Sequence, residues 1–92
     1  MKFKHYENEI VLFSETGDRL AEITFPYTDD SKSCVNVDHT FVDQSLRGQG
    51  VAGKLMDELV HDLKDRDLKA VPTCSYAVNW FEKHPEHADL KA

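Results

Sequence analysis

Three of the four glycines of the chain lie within ten residues, Leu46 to Leu55, where an amphipathic helix pattern begins. Glycine has no Cβ, so its backbone N–H group stays accessible to a ligand. A helix start adds unpaired N–H donors and the positive end of the helix dipole. Arg47 and Lys54 flank the segment, which has no acidic residue although the chain carries a formal net charge of −6. The segment therefore predicts a binding site for a phosphate or diphosphate group.

Two phosphate-binding patterns overlap in this glycine-rich segment. Gly48 to Lys54 fits the P-loop pattern G-x-x-x-x-G-K, but Leu55 stands where that loop needs a Mg²⁺-binding Ser or Thr. A length of 92 residues is also short for a P-loop NTPase. The hexapeptide Arg47-Gly48-Gln49-Gly50-Val51-Ala52 fits the second pattern, [Q/R]-x-x-G-x-[G/A]. We expect the N–H groups of residues 48–53 to hold a diphosphate; the alternative is that the glycines only make a tight turn.

The second pattern, with a strand before it and a helix after it, resembles the acyl-CoA diphosphate loop of the GNAT N-acetyltransferase superfamily. The flanking segments His39-Thr40-Phe41-Val42 and Val71-Pro72-Thr73-Cys74-Ser75-Tyr76 resemble its very small YjdJ-like members. The resemblance covers about Asn8 to Pro85 and implies a single minimal acetyltransferase domain over residues 1–92. It implies cofactor contacts from these residues: Val42, Arg47, Gly48, Gln49, Gly50, Val51, Ala52, Gly53 and Lys54.

The same resemblance implies acetyl-CoA as the cofactor and transfer of the acetyl group to an amine. A protein lysine, a polyamine or another small amine would each serve as acceptor. The larger members carry extra N-terminal helices and loops that shape the acceptor site, so we expect an acceptor site here that is open, shallow or completed by a partner. The alternative function is a non-catalytic acyl-CoA-binding or interaction module.

Three side chains are candidates for the chemistry of acetyl transfer. Cys74 follows the fourth predicted strand and opens a helix, whose positive end favours the thiolate. It is a candidate nucleophile or, as the thiol, a candidate general acid, and the alternative is a small buried apolar residue. His39 resembles the His-Thr pair of the family and is a candidate general base, since imidazole titrates near neutral pH. It shares a predicted strand face with Val35 and Val37, which also suits a core histidine. Tyr76 is an alternative acid near Cys74 or a core anchor.

The elements that must position these residues follow from the hydrophobic periodicity. Alternating and apolar runs predict a β-hairpin followed by two further strands, and the helical spacing predicts a long and a short helix. The order strand, glycine turn, helix, strand favours a right-handed parallel unit. We therefore predict an α/β (α+β) fold with a mixed, mainly antiparallel sheet, a central crossover helix and one parallel strand pair. The predicted strands cover residues 9–14, 20–27, 34–42 and 68–71, and the helices cover 52–67 and 76–83.

The composition limits the class of protein. The chain is 40% hydrophobic and 30% charged, as in soluble globular proteins, and its start has no apolar signal-peptide core. We therefore expect a cytoplasmic protein in which both cysteines, Cys34 and Cys74, are free thiols. The acidic balance argues against a nucleic-acid partner, and the histidines show no metal-ligand spacing with the cysteines. We expect a monomer or weak homodimer without a membrane partner.

Overall fold

A computed structural model describes residues 2–92 of the chain. A short strand precedes the predicted hairpin, and a 3₁₀ helix follows the second α-helix. The strands are β1 (Phe3–His5), β2 (Glu9–Phe13), β3 (Arg19–Thr24), β4 (Cys34–Val37), β5 (His39–Val42) and β6 (Lys69–Pro72). The α-helices are α1 (Val51–Asp65) and α2 (Ser75–Lys83), and 3₁₀ turns span Gln44–Leu46 and Pro85–Leu90.

The strands form a four-stranded antiparallel sheet, ordered β1-β2-β3-β5, and a parallel pair, β4-β6. In the predicted hairpin Ile10 lies opposite Ile23, and in the parallel pair Val35 lies opposite Ala70. The α+β fold with a mainly antiparallel arrangement, a crossover helix and one parallel pair is confirmed, and the parallel pair forms a sheet of its own. The glycine-rich segment connects the end of β5 to the start of α1, the crossover helix.

The predicted third strand, residues 34–42, is wrong as a single strand because it breaks at Asp38. Both Asp38 and His39 lie opposite Thr24, whose carbonyl accepts the Asp38 N–H at 3.3 Å. An extra residue of this kind shifts the side-chain alternation by one, as a β-bulge does. Val37 is therefore buried, whereas His39 is exposed on the opposite face. The prediction that His39 shares a face with the buried valines is wrong.

Both α-helices bury their apolar side chains in the same core as the inward-facing strand residues. Helix α1 follows the predicted spacing, and its buried residues are Val51, Leu55, Met56, Leu59, Val60 and Leu63. It ends two residues before the predicted boundary because Asp67 takes a left-handed conformation, φ 55°. The Leu68 N–H then bonds the Leu63 carbonyl at 2.8 Å, as in a Schellman ending. In residues 2–92 no helix is long and apolar enough to cross a bilayer.

Strand β1 is tied to α1 through His5. Its Nδ1 lies 2.7 Å from Asp62 and its Nε2 lies 2.9 Å from Glu58. Partial burial lowers the pKa of His5, but the hydrogen bonds and charges of Asp62 and then Glu58 outweigh burial and raise it above 6.5. Both ring nitrogens can donate to carboxylates only in the imidazolium form, so the protonated state fastens β1 to the helix.

Candidate cofactor-binding site

The site begins where β5 separates from the parallel pair. Strand β6 pairs with β4 as far as Val37 and Pro72, and the N–H groups of Thr73 and Cys74 both bond the Val37 carbonyl, at 3.0 and 3.1 Å. Beyond Asp38 the chain pairs with β3 instead. A gap therefore opens between β5 and the end of β6, and β5 borders it as an edge strand.

The outer edge of β5 carries backbone groups with no strand partner. The Asp43 N–H bonds the Leu20 carbonyl at 2.7 Å, so the odd-numbered residues of this segment face β3. In an antiparallel pair the backbone groups alternate between the two sides. Those of Thr40 and Val42 therefore point toward the gap.

The loop after β5 is shaped by one acid and two glycines. Asp43 accepts the Ser45 N–H at 3.0 Å and starts the 3₁₀ turn. Gly48, with φ 85°, and Gly50, with φ 73°, then take left-handed conformations that other residues adopt only with strain. Gly50 is the residue before the first turn of α1, and no side chain caps that turn.

The uncapped start of α1 and the loop before it leave a row of backbone donors without protein partners. Within residues 2–92, the N–H groups of Gly48, Gly50, Val51, Ala52 and Gly53 donate to no protein acceptor. No acidic residue lies in the first turn of α1, so the positive end of the helix dipole is not neutralised there. These donors and this dipole are the features that bind phosphate groups at helix starts.

A pocket of about 290 Å³ lies over these donors. It is lined by every residue predicted to contact the cofactor except Gln49 and Lys54, and by two further residues, Leu46 and Tyr76. The Gln49 side chain bonds the Ser45 carbonyl at 3.4 Å, and Lys54 is exposed. Arg47 lies at the wall, where its Nε donates to the Val42 carbonyl at 3.4 Å. The predicted residues thus come together, and their binding of a cofactor stays a prediction.

Tyr76 joins this pocket to a second one. Its hydroxyl lies 3.8 Å from the position that a Cβ would take at Gly53. Burial, and then the charge of Asp57, raise the pKa of Tyr76 above 10, so the hydroxyl is a hydrogen-bond donor at neutral pH. The adjoining pocket, of about 330 Å³, is lined by Gly53, Asp57, Tyr76, Asn79, Trp80, Lys83 and His84. Gly53 and Tyr76 border both pockets, so the two pockets adjoin at these residues.

Cys74 opens α2 as predicted. Its Sγ accepts the Ala77 N–H at 3.4 Å and caps the helix, and the side chain is half-buried against the core. It does not line the pocket over the glycines. The cap gives Cys74 a structural role, and its predicted chemical role stays a prediction.

His39 lies on the outer face of the sheet, away from the two helices. Its Nε2 lies 3.2 Å from Oε2 of Glu22, which projects from the neighbouring strand β3. Sequence reasoning did not identify Glu22, because only the pairing register places it beside His39. Leu46 opens the predicted phosphate-binding segment, but it was not among the individual residues predicted to contact the cofactor. Of the three catalytic candidates, only Tyr76 lines the glycine pocket.

A family model described as GCN5-related N-acetyltransferase matches residues 8–90. The chain belongs to this family. Its members are acyltransferases, and their fold generally uses acetyl-CoA as cosubstrate. No curated protein sequence matches the chain significantly. The resemblance to the YjdJ-like members stays a prediction.

Solved structures agree with this assignment. One is the solution structure of a GCN5-like protein from Staphylococcus aureus, classed among N-acetyltransferases. Its sequence is 33% identical to this chain, and the two structures align with a TM-score of 0.79 over 99% of this chain and 87% of that one. A ribosomal-protein-alanine N-acetyltransferase from Brucella melitensis is 19% identical, with a TM-score of 0.59 over 82% of this chain and 59% of that one. An acetyltransferase of the GNAT family from Staphylococcus aureus is 14% identical, with a TM-score of 0.63 over 84% and 50%. The latter two show the fold alone, and the chain spans 59% and 50% of their length.

Proposed function

We propose that this protein is an acetyl-CoA-dependent N-acetyltransferase that acts, as one domain, on an amine. The observation that carries the proposal is the row of five unpaired N–H groups, from Gly48 to Gly53, under an open pocket. A diphosphate supplies the acceptors that such a row lacks, and the helix dipole favours its negative charge. The Arg47 guanidinium adds a cation at the pocket wall. The residues present therefore fit the diphosphate of acetyl-CoA.

The adjoining pocket suits the adenosine half of the same molecule. It continues from the glycine pocket at Gly53 and Tyr76, so a ligand held at its diphosphate can extend into it. Lys83 supplies a cation for the 3′-phosphate, and Asn79 and Asp57 supply hydrogen-bonding groups for the ribose or adenine. The position of Tyr76 favours contact with the cofactor over proton transfer near Cys74.

The opposite half of acetyl-CoA, the pantetheine arm, suits the gap between β5 and β6. The arm carries two amide groups, and the edge of β5 presents the backbone groups of Thr40 and the N–H of Val42 without a partner among residues 2–92, whereas the Val42 carbonyl accepts from Arg47. An extended amide chain pairs with such an edge as an added strand does. This path directs the acyl end toward Asp38, His39 and the start of α2.

Acetyl-CoA, when bound, supplies the activated acetyl group, and the chain has to hold and move protons around it. The acceptor amine has to lose a proton, for which His39 is the candidate base. Cys74 is the candidate for a nucleophilic or acidic role near the acyl end. The net charge of −6 attracts cationic acceptors, such as a lysine side chain or a polyamine.

Binding is tested by titrating ¹⁵N-labelled protein with acetyl-CoA, CoA, dephospho-CoA and pantetheine. We expect the amide shifts to centre on residues 47–53, and we expect dephospho-CoA to bind more weakly than CoA if Lys83 holds the 3′-phosphate. The variant Lys83→Gln should abolish that difference, whereas Lys64→Gln, on the exposed face of α1, should keep it. Unchanged amide resonances at millimolar acetyl-CoA would refute the proposal.

Transfer is tested by measuring release of free CoA with a panel of amines. Amine-dependent release would support the acetyltransferase. Binding without release across a broad panel would favour the alternative, a non-catalytic acyl-CoA-binding module.

A further inference from the structure

We infer that Glu22 is a positioning residue for His39, which it holds in the form that accepts a proton from the acceptor amine. The inference rests on the proposed function, because it assigns a partner to the candidate base. The two side chains meet across neighbouring strands, with Nε2 of His39 3.2 Å from Oε2 of Glu22. The register places Phe41 opposite Glu22 and Thr24 opposite His39, so the pair is a diagonal contact on one face.

Glu22 is itself held in place. Its second oxygen, Oε1, accepts from Nη1 of Arg19 at 3.4 Å, and the same Arg19 nitrogen bonds Glu9 at 2.8 Å. The Glu22 side chain is 22% exposed, against 50% for His39. A guanidinium that contacts one carboxylate oxygen leaves the other oxygen free to accept from a neighbour. The less exposed partner therefore orients the more exposed imidazole.

This contact selects one tautomer of His39. An ionised carboxylate only accepts hydrogen bonds, so the Nε2 that faces Glu22 has to carry a hydrogen. In the neutral ring the lone pair then lies on Nδ1, which bonds no protein group among residues 2–92. When an ammonium group gives up its proton, its N–H bond breaks and an Nδ1–H bond forms. The positive charge moves to the imidazolium, where the Glu22 carboxylate compensates it.

The face on which the pair lies is also the face that an acceptor can reach. The inner face of the sheet is filled by the core and both helices. From Val42, at the glycine pocket, to His39 the strand runs for three residue steps, which is about 10 Å. A pantetheine arm laid along β5 therefore runs from the glycine pocket toward His39. Phe41, which lies between Val42 and His39 along the strand, is 38% exposed and offers an apolar surface to the methylene chain of an acceptor.

The variant Glu22→Gln tests the inference with two measurements. Long-range ¹H–¹⁵N spectra above pH 8, assigned with His39→Ala, report which ring nitrogen carries the hydrogen. We expect Nε2–H in the wild type and a mixture of tautomers in Glu22→Gln, because an amide side chain both donates and accepts. In Glu22→Gln we expect kcat for CoA release to fall about tenfold or more, because a misoriented base supplies only part of its usual rate enhancement. KM for acetyl-CoA should stay unchanged.

Glu9→Gln is the matched control. It removes another carboxylate paired with Arg19 on the same face but does not touch His39. It should keep the Nε2–H tautomer and the wild-type kcat. A mixed tautomer in the wild type, or equal kcat in Glu22→Gln and the wild type, would overturn the inference. An inactive wild type that still shows the Nε2–H tautomer, lost in Glu22→Gln, would support the positioning and count against the proposed transfer instead.

Discussion

Replacing Gly50 by alanine separates the ligand-binding role of the glycine loop from its role in the fold. Gly50 has φ 73°, and Gly17, which lies in the hairpin turn and does not line the pocket, has φ 90°. A Cβ added at either position meets nothing within 4 Å. The left-handed conformation should cost each alanine variant roughly 1–2 kcal/mol. For a domain of this size the melting temperature should fall about 4–8 °C per kcal/mol in both variants.

The two variants should differ in acetyl-CoA binding. Because Gly50 lines the pocket, we expect the methyl group in Gly50→Ala to disturb the approach of the unpaired amides to the diphosphate. The loss of one hydrogen bond to a charged group corresponds to about 1.5–3 kcal/mol. That is about a ten- to hundredfold increase in Kd. Isothermal titration calorimetry at a temperature where both variants are folded measures this difference. Equal affinity in Gly50→Ala and Gly17→Ala would refute the role of this loop.

The remaining predictions concern four other side chains. Arg47→Gln should raise Kd for acetyl-CoA several-fold and Lys54→Gln much less, because only Arg47 lines the pocket; equal effects in calorimetry would contradict the geometry. Cys74→Ala should lose about 1 kcal/mol of stability with the cap, and Cys74→Ser should keep it, as denaturant unfolding will show. If Cys74→Ser also keeps wild-type turnover, the thiol has no essential chemical role. The pKa of His5 is raised in the folded state, so the contacts of its imidazolium with Asp62 and Glu58 stabilise the fold in full below pH 6.5. This contribution to the free energy of unfolding is lost as the pH rises through the folded-state pKa. Unfolding followed from pH 5 to 9 should show that loss in the wild type, and a His5→Ala variant with the same pH dependence would contradict it.

The sequence alone gave the glycine loop and the order of the elements around it. These features are local, since a glycine before an amphipathic run determines both the turn and the free amides of the first turn. The hairpin and the crossover to a parallel strand also followed from periodicity and handedness rules.

The position of His39 could not be predicted from periodicity. Asp38 reads as an ordinary outward residue in the alternating pattern, and only its pairing with Thr24 shows it to be an extra residue. One extra residue moves every later side chain of a strand to the other face. This shift placed His39 outside the core, although the simple pattern grouped it with Val35 and Val37.

The sequence by itself determined which backbone groups are available to a phosphate, because glycine content and a helix start are properties of neighbouring residues. Only the tertiary structure decided what surrounds them. Tyr76 reaches the Gly53 wall, and Glu22 reaches His39, through contacts between residues that are 23 and 17 positions apart. Such contacts depend on strand register and helix packing, which a local pattern does not encode.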